Sequence, residues 1–158
     1  MKKQVEKVAA TKGRIRAISV SKTKGTQKVN VPGAELRADF GIVGDAHAGD
    51  WDRQISLLEI ECIDIMIAKG ANVAPGGFAE NVTTEGIDLS ELKLGDKLRL
   101  GAEAEIKITQ FGKKCHGRCK IYEQIGDCIM PREGVFARVS SGGSITVGDD
   151  IEVIDDGD

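Results

Sequence analysis

The residues best suited to chemistry lie in one stretch. From Phe111 to Tyr122 the chain reads FGKKCHGRCKIY, which sets Cys115 and Cys119 among Lys113, Lys114, His116, Arg118 and Lys120. Cations near a thiol favour the thiolate, the form that attacks sulfur or binds a soft metal. The same cations, with the amides of a turn, suit a phosphate. The stretch reads as a nucleophilic or ligating sulfur presented beside an anionic ligand, with Lys113, Lys114 and Arg118 as the candidate anion contacts. Two plainer readings stay open: a cation-rich loop that is only soluble, its cysteines incidental, and a zinc site built from Cys115, Cys119, Cys128 and a histidine. Cys-x₃-Cys followed by one further cysteine is a weaker zinc pattern than paired Cys-x₂-Cys motifs.

A second constellation is His47 with Asp45, Asp50, Asp52 and Arg53 in the glycine-rich run FGIVGDAHAGDW and the two residues after it. Such a loop can gather acid, base and anion-binding groups, although a lone histidine there is often structural or solvated. Asn81, within GGFAENVTTEG, either hydrogen-bonds a ligand or closes a turn. The stretch GDCIMPREGVFARV brings Arg132 and Arg138 together with Cys128, and the arginines suit phosphate or ordinary surface pairs with Asp127 and Glu133. Whether the His47 loop meets the cysteine loop is not written in the sequence.

The elements that must position these groups are mostly strands. Arg14 to Val20 and Val29 to Val31 flank a polar run from Lys22 to Lys28 and suggest an opening hairpin, ended by Pro32 and Gly33. Ser56 and Glu59 have capping-box spacing ahead of Ile60, Ile63 and Ile67, so a helix is expected near residues 57–69 with Cys62 buried inside it. Short strands are expected at Asn81 to Thr84, Lys97 to Leu100, Glu105 to Gln110, Val135 to Ser140 and Ile145 to Ile154. LKLGDKLRL at residues 92–100 and ITVGDDIEV at residues 145–153 resemble each other and suggest two similar corners of one sheet. Many short strands and one clear helix favour a mainly β fold, a barrel with one or two helical excursions, over a parallel α/β sheet.

A chain of 158 residues, 41% apolar, supports one core, so a single domain is expected over residues 13–154 behind a flexible segment at residues 1–12. A net charge of −3 gives no global reason to expect a nucleic-acid or membrane partner. Lys2, Lys3 and Lys7 are followed by too few apolar residues to direct export, so a cytoplasmic protein is expected, in which the 4 cysteines are thiols, ligands or redox groups rather than a disulfide framework.

Four pieces in series carry a family resemblance: GIVGDAHAGDWDRQISLL, GGFAENVTTEGIDLSELKLGDKLRLG, ITQFGKKCHGRC and GVFARVSSGGSITVGDDIEV. Together they resemble the MOSC family, named for the C-terminal domain of molybdenum cofactor sulfurase. The resemblance implies a barrel-like β fold and a role with the molybdenum cofactor, a molybdopterin. Its cysteine, which falls at Cys115, would carry sulfur as a persulfide or ligate molybdenum. Arg53 and Asn81 fall in the matching motifs and join Arg138 as candidate cofactor contacts, and His47, in the same motifs, joins Cys115 and Cys119 as a candidate catalytic residue. Larger relatives carry a pyridoxal-phosphate desulfurase domain ahead of this one. Here only twelve residues precede Gly13, so pyridoxal phosphate is not expected in this chain.

The expected partners are a cysteine desulfurase or other sulfur donor, and a molybdoenzyme or cofactor-biosynthesis protein. Some family members reduce N-hydroxylated compounds, and that activity, with Cys115 on molybdenum, is the alternative enzyme reading. No Gly-x-Gly-x-x-Gly marks a flavin or nicotinamide site, so electrons would come from a partner. A zinc-stabilised interaction module is the non-enzymatic alternative.

Overall fold

The structure is a computed structural model that describes residues 12–23, 28–70, 72–78, 80–111 and 134–154. The expected cysteine loop, residues 1–11 of the segment expected to be flexible over 1–12, and residues 155–158 lie outside the described residues, while Lys12 belongs to a strand. In chain order the strands are β1 (Lys12–Val20), β2 (Val29–Val31), β3 (Gly33–Arg37), β4 (Gly41–Ile42), β5 (Ile55–Glu59), β6 (Val82–Glu85), β7 (Lys97–Leu100), β8 (Ala104–Phe111), β9 (Val135–Ser141), β10 (Gly143–Thr146) and β11 (Asp150–Ile154). One helix, α1 (Ile60–Ala68), follows β5, and a 3-10 turn spans Leu89–Glu91.

The sheet order β11-β7-β8-β9-β5-β6-β1 closes through pairing of β1 with β11, giving a seven-stranded barrel with β2 attached to β1. Closure removes the free edges that an open sheet would expose. Ile15, Ile18, Ile55, Leu57, Leu98, Ile106, Ile108 and Ile151 fill the interior, and the small sheet β10-β3-β4 adds Leu36, Ile42 and Ile145 to the same core. The mainly β expectation, with its opening hairpin, is borne out.

The two Gly-Asp corners are equivalent in detail. Gly95 and Gly148 have φ of 92° and 99°. Asp96 N–H donates to Lys93 O at 3.0 Å, and Asp149 N–H donates to Thr146 O at 3.0 Å. Each aspartate carboxylate then accepts from the first residue of its own turn, Lys93 N–H at 2.8 Å and Thr146 N–H at 2.9 Å. The likeness continues into the barrel. β7 and β11 pair antiparallel with Arg99 opposite Glu152, so a local two-fold axis passes through that pair, which is also a 2.9 Å ion pair. About this axis the β7–β8 register (Leu98 opposite Ile106) matches the β11–β1 register (Ile151 opposite Gly13).

Both outer strands then carry a register shift at the same place, between Ile15 and Ala17 in β1 and between Ile108 and Gln110 in β8. A bulge inserts one residue and reverses the inside–outside phase. This is why strict inside–outside alternation fails along β1, with Ile15 and Ile18 both buried. The symmetry ends at β5, where Leu57 faces Val82 of parallel β6 on one side and Val135 of antiparallel β9 on the other.

The helix expected over residues 57–69 is shorter than its periodicity suggests. Residues 57–59 belong to β5, whose Leu57 points into the barrel while Leu58 packs outward against Ile60, Ile63, Met66, Phe78 and Phe136. A strand buried on both faces reads as an unbroken apolar run, which the helical pattern absorbed. Glu59 is the residue before the helix and makes no side-chain cap bond, so Ser56 and Glu59 form no capping box. Glu59 instead accepts from Leu89 N–H at 2.7 Å. Met66 is buried and Ile67 is half exposed, while Cys62 packs at the edge of this outer cluster and donates to Glu59.

A Cβ added at Gly95 or Gly148 meets nothing within 4 Å, so backbone conformation alone sets the cost of a side chain there. Gly95→Ala and Gly148→Ala are each expected to lower the unfolding free energy by about 1 kcal/mol, and by equal amounts, in urea denaturation. Unequal losses would mean that the two corners are alike in shape only.

Candidate functional site

The loop from β4 to β5 folds back on itself before reaching the barrel. Gly49 N–H donates to Phe40 O at 2.7 Å, and Trp51 Nε1 donates to His47 O at 2.7 Å. At its neck Gly41 has φ 123°, and a Cβ there would lie 2.7 Å from Gln54 O, so only glycine fits.

Inside this loop Asp45 is a buried carboxylate with four donors. Oδ1 accepts from Lys28 Nζ at 2.9 Å and from Ser21 N–H at 3.0 Å. Oδ2 accepts from His47 N–H at 3.2 Å and from Asn81 Nδ2 at 3.2 Å. The side chains of Lys28 and Asp45 are 1% and 0% exposed. Burial works to raise the Asp45 carboxyl, but the hydrogen bonds from Lys28, Ser21 and Asn81 and the Lys28 charge outweigh it and hold the group below its ordinary 3.8. Lys28 also approaches His47 Nδ1 at 3.1 Å and donates to Ser21 Oγ at 3.4 Å.

Asn81 uses every hydrogen-bonding position of its amide within the protein. Oδ1 accepts from Ser56 N–H at 3.0 Å and Ser56 Oγ at 3.2 Å, while Nδ2 donates to Ser19 O at 3.1 Å as well as to Asp45. Its neighbour Glu80 is fully buried and clamps the preceding turn, accepting from Gly76 N–H at 2.7 Å, Phe78 N–H at 3.2 Å and Thr83 Oγ1 at 2.8 Å. Burial raises the Glu80 carboxyl against these bonds. Asn81 thus closes a turn between β5, β1 and the loop, and reaches the site through Asp45.

Two arginines on the outer face have different surroundings. Arg138 pairs with Asp50 at 2.7 Å, Asp52 at 3.4 Å and Asp39 at 3.8 Å. Arg53 stacks its guanidinium on Trp51 at 4.6 Å and on Phe136 at 5.8 Å, and among the described residues it makes no ion pair. The two arginines therefore divide the local chemistry: one is neutralised by carboxylates, the other keeps its charge over aromatic faces.

Two contacts bring the His47 loop to the strand ends that flank residues 112–133. Thr109, at the β8 bulge, donates to Asp52 O and has Phe136 O in reach at 3.2 Å. Phe111 is paired with Val135, so the segment between β8 and β9 leaves and returns at adjacent strand ends. The His47 loop is tied to the foot of that segment through Asp52 and Arg53. Lys113, Lys114, Cys115, Arg118, Cys119, Cys128 and Arg132 themselves lie outside the described residues.

Lys28 and Ser21 are the site residues that sequence reasoning missed. Lys28 sits at the end of a polar run and resembles its neighbour Lys22 in every local respect. Only the pairing of β1 with β2 carries it inward. Among the described residues no group of three or more His, Cys, Asp or Glu is arranged to hold a metal, and no helix is long and apolar enough to cross a membrane.

A closed barrel with one polar loop pinned across a pair of strand ends defines a small β-barrel domain. Residues 44–152 match the family described as MOSC domain, and the chain belongs to that family. Three solved structures share the fold. The YuaD protein from Bacillus subtilis superposes with a TM-score of 0.75 at 21% identity, covering 90% of this chain and 95% of that one. YiiM from Geobacillus stearothermophilus gives 0.69 at 21% identity, covering 92% and 76%, and YiiM from Escherichia coli gives 0.64 at 22%, covering 90% and 70%. No curated protein matches the sequence.

Removing Asp45 strands the Lys28 charge away from water. Asp45→Ala is expected to cost about 3–5 kcal/mol in chemical denaturation, whereas Glu85→Ala, which breaks only exposed pairs with Arg14 and Arg16, changes stability little. Because the Asp45 carboxyl is lowered on folding, its contribution is complete above about pH 3.8 and drains away as pH falls from there through the lowered native value. Acid titration of the native chain should show this as a loss of stability below pH 3.8 that Asp45→Asn lacks.

Proposed function

We propose that this protein binds the molybdenum cofactor and carries sulfur for it, with Cys115 as the working thiolate. The observation that carries the reading is the attachment of the Asp45–His47 loop, with the ring-stacked Arg53, to the strand ends that bracket the Cys115 segment. Membership of the MOSC domain family supports it.

The residues present fit an anionic, flat ligand. Arg53 keeps a guanidinium without a carboxylate partner among the described residues and presents it over two aromatic rings. Lys113, Lys114 and Arg118 supply further cations beside Cys115. Arg53 and these cations would hold the phosphate and polar edge of the cofactor, which when bound supplies a molybdenum centre with affinity for a sulfur ligand. His47 and the other members of the Asp45 network would keep the loop in place. In the transfer step the Cys115 thiolate attacks the outer sulfur of a persulfide on a separate donor such as a cysteine desulfurase. The new sulfur–sulfur bond forms at Cys115, and the donor cysteine leaves as its thiolate. Cys119, four residues on in the sequence, would relay or resolve the persulfide. A molybdoenzyme or cofactor-assembly protein receives the product.

The test is molybdenum and pterin retained per chain after incubation of reduced, anaerobic protein with the cofactor, alongside transfer of labelled sulfur from a desulfurase. Cys115→Ala is expected to abolish sulfur acceptance and most cofactor retention. Arg53→Ala is expected to weaken retention about tenfold or more, the worth of one hydrogen bond to a charged group. Sulfur acceptance unchanged in Cys115→Ala, or zinc in place of pterin, would overturn the reading.

A further inference from the structure

We infer that Lys28 is a positioning residue that fixes His47 as the neutral tautomer protonated on Nε2, so that His47 meets a ligand as a hydrogen-bond donor and not as a base at that nitrogen. The tautomer follows from geometry alone; its use toward a ligand rests on the cofactor-binding reading above.

Lys28 Nζ has three acceptors around it: Asp45 Oδ1 at 2.9 Å, His47 Nδ1 at 3.1 Å and Ser21 Oγ at 3.4 Å. A lysine ammonium has three N–H donors and no acceptor, so three donors meet three acceptors. Lys28 Nζ and the Asp45 carboxylate, both shut from water and 2.9 Å apart, form an ion pair, and either charge alone would be costly at this depth. A charged Lys28 can only donate, so Nδ1 of His47 must accept and carries no proton, and a neutral ring then has its proton on Nε2.

The competing states conflict with the same distances. An imidazolium, or the tautomer protonated on Nδ1, would point an N–H at an ammonium nitrogen 3.1 Å away. The carboxylate that would reward such a proton, Asp45 Oδ2, lies 4.0 Å from Nδ1, beyond hydrogen-bond reach, and already accepts from the His47 and Asn81 N–H groups. A metal on Nδ1 would likewise displace the lysine. Trp51 fixes the backbone beneath the ring by donating to His47 O, so ring and lysine are held from both sides.

The consequence is specific. A ring held with Nε2–H can act at that nitrogen only as a donor, suited to a carbonyl or anionic oxygen, and proton abstraction must be done elsewhere. Fixing a tautomer through the other ring nitrogen is the way a protein decides which job a histidine performs.

The experiment is nitrogen-15 NMR of the histidine ring at neutral pH in cofactor-free protein, with His116→Gln leaving His47 as the one remaining histidine. The expected result is a single tautomer, Nε2 protonated and Nδ1 not. Lys28→Arg should keep it, because the guanidinium still donates. Lys28→Met combined with Asp45→Asn, which leaves no buried charge behind, should lose it and show both tautomers in exchange. A native His47 protonated on Nδ1 or doubly protonated would overturn the inference, as would a double variant that keeps the native pattern. The spectrum requires neither molybdenum nor sulfur, so it stands or falls separately from cofactor retention by Cys115.

Discussion

The buried Asp45 carboxylate is the constraint on which the rest of the site depends. Taking a charge out of water costs several kcal/mol unless it is met by an opposite charge and its lone pairs are filled. Asp45 meets both conditions with donors from four places far apart in sequence: Ser21 just after β1, Lys28 just before β2, its own loop at His47, and Asn81 just before β6. None of these segments is regular structure at the point of contact. One carboxylate therefore does for irregular backbone what a ladder of hydrogen bonds does for strands, and it does so where the chain must hold chemical groups rather than fill a core.

The barrel supplies the platform by near-symmetry, and the site arises where the symmetry breaks. The corners at Gly95 and Gly148, the register of β7–β8 and β11–β1, and the bulges in β1 and β8 all correspond. A bulge exposes one extra residue, and the two halves use it differently. In β1 the extra residue is Arg16, which pairs with Glu85 on the surface; in β8 it is Thr109, which anchors the His47 loop at Asp52. The same backbone irregularity serves as a solvated pair in one half and as a tether for the site in the other.

Charge at the rim is allotted with similar economy. Arg138 takes Asp39, Asp50 and Asp52 together, and this leaves Arg53, in the midst of the same aspartates, to rest on Trp51 and Phe136. A guanidinium over aromatic faces loses little hydration and keeps its N–H fork available for an anion. The acidic residues near His47 thus balance Arg138, while Arg53 makes no ion pair among the described residues.

The sequence by itself determined the class of fold, the helix after β5 and the two matched corners, and it singled out the His47 and Cys115 stretches as candidates. Alternation, Gly-Asp turns and the order of four motifs are local signals, and each survives without knowledge of what lies across the barrel. It misread the start of α1, because a strand buried on both faces carries the same apolar run as the flank of a helix, and it broke step in β1 because a bulge leaves no mark in residue type. Only the tertiary structure decided that Lys28 turns inward while Lys22 does not, that Asp45 and not His47 is the centre of the network, and that Arg53 and Arg138 have opposite surroundings. Those outcomes are set by strand closure, which brings residues 21, 28, 45 and 81 to one point. A buried charge reveals its partners only once the water around it has been removed.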